Sequence, residues 1–180
     1  ALTFTGAATK SGTAAGTLRL TGSGASATLS GIVSASAGTL TVEKQGTGKW
    51  VLTGTNTYTG NTTLTDGTLE IGANSGTTSL ALQSSTLDLS TAGKTFQFSS
   101  GITAATLGGI SSTGAGTPLA LGTVQASIGN NNASTTFAGN ITGTVGFTKV
   151  GAGTLQISNA TSANNTVSGT VTVSGGVLKL

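Results

Sequence analysis

The chain has 180 residues and a net charge of +3, and only 6% of its residues are charged, against about 25% in an ordinary soluble domain. Its seven basic and four acidic side chains are spread singly, so a pI of 9.6 reflects scarce charge and excludes a nucleic-acid footprint. With no cysteine and no histidine it has no disulfide or thiol chemistry, and it lacks the commonest general base and metal ligand.

Apolar residues come in pairs two apart along the chain. In order they are Leu2 and Phe4, Leu18 and Leu20, Leu40 and Val42, Trp50 and Leu52, Leu69 and Ile71, Leu80 and Leu82, Leu87 and Leu89, Phe96 and Phe98, and Leu119 and Leu121. Val145 and Phe147, Leu155 and Ile157, Val171 and Val173, and Leu178 and Leu180 complete the series. Period two predicts strands with both members of a pair on one face. No window sustains the spacing of a helix, and no apolar run approaches the ~20 residues of a membrane span.

One unit recurs: GTLRL from Gly16, GTLTV from Gly38, GTLEI from Gly67, STLDL from Ser85, GTLQI from Gly153 and GVLKL from Gly176. The residue between the apolar pair is Arg19, Thr41, Glu70, Asp88, Gln156 or Lys179, always polar, which predicts one buried and one wet face. Spacings of roughly 18 to 29 residues between neighbouring copies are those of a solenoid. The predicted fold is all-β, a right-handed parallel β-helix (β-solenoid) of short strands without significant helix, in a single domain over 1–180. At about 20 residues per coil it makes roughly eight or nine coils. A sandwich or an up-and-down barrel is the alternative.

The stretch GTGKWVLTGTNTYTG, from Gly46, superficially resembles a phosphate loop. A Walker-type loop needs glycine where Glu43 stands and a hydroxyl where Trp50 stands, and no helix follows. GSGASA from Gly22 has the form of a dinucleotide loop, but it too lacks a helix. The stretch matches a later part of the same chain instead. EKQGTGKWVLTG from Glu43 aligns with TKVGAGTLQISN from Thr148, and TTLTDGTLEI from Thr62 with VTVSGGVLKL from Val171, with four extra residues in the NATSANN loop of the second copy.

KQGTGKWVLTGTNTYTGNTTLTDGTLEI, Lys44 to Ile71, resembles the passenger-associated transport repeat of bacterial autotransporters. The resemblance rests on Lys44, Gly46, Gly48, Trp50, Leu52, Asn56, Tyr58, Gly60, Gly67 and Leu69. A second, degenerate copy at 149–180 lacks the N-T-Y-T-G segment. The resemblance implies a secreted, surface-displayed β-helix whose stacking from one end helps to draw the passenger across the outer membrane. Asn56 is expected to bond a turn and Tyr58 to pack over a corner.

Catalysis is not expected. The acids are Glu43, Asp66, Glu70 and Asp88, and the only arginine is Arg19. Glu70 and Asp88 share a slot of successive units, so they are expected about 5 Å apart, one rung from the other, as two solvent-facing positions and not a calcium site. Thr-x-Thr arrays at Thr3, Thr39, Thr53, Thr63, Thr142 and Thr170 keep no regular spacing, which argues against an ice-binding face. No cofactor is expected. Both ends read as strand without a capping segment, so the chain is either a piece of a longer passenger or stacks head to tail through Leu2, Phe4, Leu178 and Leu180. The expected function is structural: an extracellular scaffold or adhesin-type solenoid, secreted or on a bacterial surface, self-assembling as a homo-oligomer. Glycan binding at Asn130, Asn131 and Asn132 is the alternative.

Overall fold

The computed structural model describes residues 2–159 and 165–180. Among them there is no helix, and every ladder between strands is parallel. A sandwich or an up-and-down barrel requires antiparallel neighbours, so both are excluded. The strands form three faces over eight coils, one strand segment per face in each coil except on the second face of the third coil. The coil number lies at the lower end of the sequence expectation.

On the first face, Leu2–Phe4, Ala27–Leu29, Lys49–Leu52, Thr68–Ile71 and Thr95–Phe98 form a five-stranded sheet. Leu119–Gly122, Ile141–Gly143 and Thr166–Val167 continue it as a separate three-stranded sheet. The second face begins with Ala8–Lys10 and Val33–Ala35 and ends with Gln125–Ile128, Phe147–Lys149 and Thr172–Val173. The third begins with Gly16–Leu20, Leu40–Lys44 and Thr62–Leu64 and ends with Thr135–Phe137, Thr154–Ile157 and Val177–Lys179. Two long strands, Thr78–Asp88 and Ala104–Ser111, run round the corner between these faces and join Gly16–Leu20, Leu40–Lys44 and Thr62–Leu64 of the third to Gln125–Ile128, Phe147–Lys149 and Thr172–Val173 of the second in one eight-stranded sheet; Ala8–Lys10 with Val33–Ala35, and Thr135–Phe137 with Thr154–Ile157 and Val177–Lys179, form sheets of their own. The bend shows as register shifts between Ser79 and Thr86. There a Cβ on Gly108 would lie 2.6 Å from the Ser85 backbone, so only glycine lets the two strands turn together.

The inward pairs make a continuous core that includes Leu20, Leu52, Leu64, Leu69, Ile71, Leu87, Leu107, Ile128, Phe137 and Leu155. Several expected pairs depart from the pattern. Leu80 is only half-buried and its neighbours Ser79 and Ala81 take the inner slots, because the corner bend shifts the register there. Val145 is half-buried in a corner, and the inward partner of Phe147 is Lys149. Leu2, Phe4, Val171 and Val173 lie in the first and last coils and stay exposed.

The recurring unit does not mark one slot. GTLEI lies on the first face and the other five copies on the third, and Gly16 pairs with Leu40 rather than with Gly38. A corner followed by an alternating strand suits any face, so the unit is not tied to one of them. Glu70 and Asp88 are therefore not neighbours: Glu70 sits between Val51 and Gln97, Asp88 between Thr63 and Ser111. Glu70 is also buried rather than wet.

Candidate functional site

The side chains that distinguish the repeat hold one coil to the next. Lys44 ends a strand of the third face with 0% exposure. Its ammonium donates to the carbonyls of Gln45 at 3.0 Å and Gly46 at 2.6 Å in its own turn, and of Asp66 at 2.9 Å one coil further on. An ammonium has three N–H donors, and all three are used. Lys149, 1% exposed at the end of a second-face strand, does the same with Val150 at 2.5 Å, Gly151 at 3.0 Å and Gly175 at 3.1 Å. Burial pulls the pKa of both lysines below the ordinary lysine value.

Lys10 adds a third example, donating to Gly12 at 2.6 Å and Ala37 at 2.8 Å. In each case the sequence is Lys-x-Gly, with the glycine at a left-handed φ of +79° (Gly12), +72° (Gly46) or +70° (Gly151). That turn folds the carbonyls back over the ammonium, and a residue with a Cβ adopts it at a cost. The distant acceptor also precedes a left-handed glycine each time: Gly38, Gly67 or Gly176. The spacing was visible in the sequence at Lys10, but only the lysines inside the long repeat stood out there.

Asn56 lies where the second face has no strand in the third coil, and it replaces the missing ladder. Its Oδ1 accepts from the Val33 N–H of the coil before at 2.8 Å, and its Nδ2 donates to the Ala81 carbonyl of the coil after at 2.9 Å. It therefore bonds coils and not a turn, contrary to expectation. Tyr58 is likewise in the core rather than over a corner, 1% exposed. Its hydroxyl bonds Thr62 Oγ1 at 2.6 Å, which bonds Ser85 Oγ at 2.8 Å, which donates to the Gly60 carbonyl at 2.7 Å.

Burial pushes the Tyr58 pKa up to about 12. The unfolded phenol ionises near 10, so between about pH 10 and 12 the folded chain keeps a proton that the unfolded chain loses, and stability falls as pH rises. Each unit is about 1.4 kcal/mol. Tyr58→Phe is expected to flatten that alkaline loss in urea melts recorded from pH 9 to 12.

The expected degenerate copy is not missing this device. Asn165-Thr166-Val167-Ser168-Gly169 stands in place of N-T-Y-T-G, displaced by the inserted loop. The NATSANN loop falls largely at 160–164, outside the described residues. Asn165 Oδ1 accepts from the Ile141 N–H of the coil before at 2.8 Å, as Asn56 does from Val33. Val167 and Val171 replace Tyr58 and Thr62, so a hydroxyl pair becomes an apolar pair.

The other motif residues are placed around this frame. Leu52 and Leu69 are core, while Trp50 is half-buried, stacks on Phe4 at 5.7 Å and donates to the Thr21 carbonyl. Gly48 and Gly60 sit where a Cβ would strike the backbone of the previous coil. Three of the four acids are ion-paired: Glu43 with Arg19 at 3.2 Å and Asp66 with Lys94 at 2.9 Å toward solvent, and the buried Glu70 with Lys49 at 2.9 Å. Burial would raise the Glu70 pKa, but hydrogen bonds from Ser99, Lys49 and Gln97 outweigh it and hold the carboxyl below its usual range. Asp88 bonds the Ser90 N–H and hydroxyl. The Asn130 amide donates to the Gln83 carbonyl and the Asn131 amide to Thr86, and Asn132 Oδ1 accepts from the Ala152 N–H, so these side chains tie coils together.

At the two edges apolar surface is open. Leu2 is 58% exposed, Phe4 44% and Leu180 90%, whereas Leu178 is half-buried. At the N-terminal edge a cavity of about 570 Å³ is lined by Phe4, Ala8, Leu18, Leu20, Leu29 and Trp50 among others. At the C-terminal edge one of about 360 Å³ is lined by Phe147, Ile157, Asn165, Val167, Leu178 and Leu180 among others.

The sequence model of the passenger-associated transport repeat matches residues 42–71 and 147–180. The chain is also 37% identical over 169 residues to the adhesin BmaC autotransporter of Brucella suis biovar 1 (strain 1330), an alignment covering 91% of this chain and 4% of that protein. The chain is a β-helix that carries two passenger-associated transport repeats. No solved structure matches it significantly. The two transport repeats are not in phase on the solenoid: the first starts at the end of a third-face strand with Lys44, the second at the end of a second-face strand with Lys149. A transport repeat thus clamps any corner, because its bonds run to backbone groups that every face provides.

Proposed function

We propose that the chain is a scaffold portion of an adhesin-type passenger, secreted or displayed on a bacterial surface, which works by coil-on-coil stacking and carries out no catalysis. Its likeness to an adhesin autotransporter supports the surface role. The chain spans about 4% of that relative's length, in keeping with one run of coils in a long rod. The observation that carries the stacking reading is that parallel ladders bond each coil to the next, so either edge offers strand and apolar surface to a further coil, of the same chain or of a second copy.

All strands of a face run in one direction, so head-to-tail contact between copies continues the parallel ladders, and head-to-head contact does not. Such a contact is heterologous and does not close, which gives filaments. The test is light scattering with negative-stain microscopy on the 180-residue chain across concentrations. Fibres of uniform width are expected, and Leu180→Asp or Phe4→Asp should raise the concentration needed for them at least tenfold. A 17.2 kDa monomer at every concentration would refute self-assembly.

A further inference from the structure

Among the described residues, the boundary between the fifth and sixth coils is bonded unlike the others. On the first face the five-stranded sheet ends with Thr95–Phe98 and a new sheet starts with Leu119–Gly122, so no ladder joins the two strands. On the third face a single bridge, Ser112 to Phe137, stands where a ladder would run. The second face alone is laddered there, with Ala104 paired to Gln125 and Leu107 to Ile128. Each other boundary has ladders on at least two faces. Where the first-face ladder is missing, a cavity of about 300 Å³ opens beside Phe98, Ile102, Leu121 and Val124.

The asparagine triplet spans this boundary. Asn130 Nδ2 donates to the Gln83 carbonyl and Asn131 Nδ2 to Thr86 Oγ1, both at 2.9 Å. Gln83 and Thr86 belong to the fourth coil, so both bonds pass over the fifth. They bridge 47 and 45 residues, against 22 for the bond from Lys44 to Asp66. Gly109 gives them passage, since a Cβ there would lie 3.1 Å from Thr86 Oγ1 and 3.5 Å from Asn131 Oδ1. On the other side, Asn132 Oδ1 accepts from the Ala152 N–H of the seventh coil at 2.9 Å. We propose that this boundary is a seam along which the solenoid divides into two cooperative units, the first five coils and the last three, and that Asn130 and Asn131 are the latch across it. The seam opens from the first face, where no ladder has to break, and turns about the second, where the ladder is intact. The rod therefore bends at one set place while both units stay folded.

Hydrogen exchange resolved by peptide in rising urea reads such units directly, on the 180-residue chain at a concentration where it is monomeric. The amides of 2–111 and those of 119–157 are expected to open as two blocks with separate midpoints. Thr86→Val removes the acceptor of Asn131 with little change of shape and leaves the loop itself untouched. It is expected to speed exchange at Ala126 to Ile128 at least tenfold and to move the two midpoints further apart. Asn131→Ala should do the same from the other side, and the double variant should equal either single one, because both cut one bond. Thr41→Val cuts a bond of ordinary reach, from Thr17 at 3.0 Å, and should leave the separation of the midpoints as it is. One block throughout, or a division at another coil, overturns the seam. Two blocks whose separation neither Thr86→Val nor Asn131→Ala changes overturn the latch.

Discussion

Lys44→Ala is expected to lower unfolding stability by about 3–5 kcal/mol, a large loss for a single change outside the apolar core. Three carbonyls, of Gln45, Gly46 and Asp66, lose their donor, and the stem leaves a void in a fully buried site. Lys44→Met fills the void but still orphans the carbonyls, so it should recover only part of the loss. Lys10→Ala should cost less, since Lys10 is half-exposed and water can replace the ammonium. In a solenoid each coil contacts only its neighbours. Hydrogen exchange should therefore speed up around the corners at Lys44 and Asp66 and stay unchanged near Lys149. Uniform acceleration along the chain, or a loss under 1 kcal/mol, would remove the clamp. The pH dependence has a definite sign. Burial lowers the Lys44 pKa, so between that lowered value and the ordinary ~10.4 the unfolded chain binds more protons. Stability then rises with pH across that window, and the alanine variant lacks its share of the rise. Above pH 10 the Tyr58 effect works the opposite way.

Much of this architecture is legible in the residues. Alternation at Leu69 and Ile71 or Leu155 and Ile157 requires strands, and corners spaced by about one coil require a solenoid. The order of the faces is less legible, because an alternating strand after a glycine looks alike on each of them. That is why GTLEI and STLDL, consecutive in sequence, were expected to stack and instead lie on different faces. The clamps were hidden for another reason. A lysine ending a strand reads as a solvated charge, and nothing local reveals that Asp66 or Gly175, more than twenty residues away, will cover its ammonium. Asn56 misled in the same manner: an asparagine between threonines is an ordinary turn residue, and its bonds to Val33 and Ala81 exist only once coils are stacked. The Asn165 copy was obscured by the inserted loop, which breaks the spacing and leaves the bond in place.

Asn56→Asp is the second change expected to have a large effect, and its pH profile separates the coil-bridging role from simple packing. The carboxylate keeps the acceptor for Val33 N–H but turns a negative oxygen toward the Ala81 carbonyl, at a site 2% exposed. An unpaired buried charge facing an acceptor should cost about 3–5 kcal/mol at pH 7. Burial raises the folded pKa of such a group above the unfolded value of about 3.9. The folded state then binds more protons, so the deficit is fully present above the raised pKa and disappears as pH falls toward 4. Asn56→Ala loses both bonds at every pH, and its deficit should stay flat over the same range. Urea melts of the two variants from pH 4 to 8 distinguish them. Parallel profiles would mean that the Nδ2 bond to Ala81 carries no weight, and would leave the third coil without a replacement for its missing strand. The same substitution at Asn165, which is half-buried in the last coil, should cost the single chain less. The difference between the two sites measures what a following coil adds.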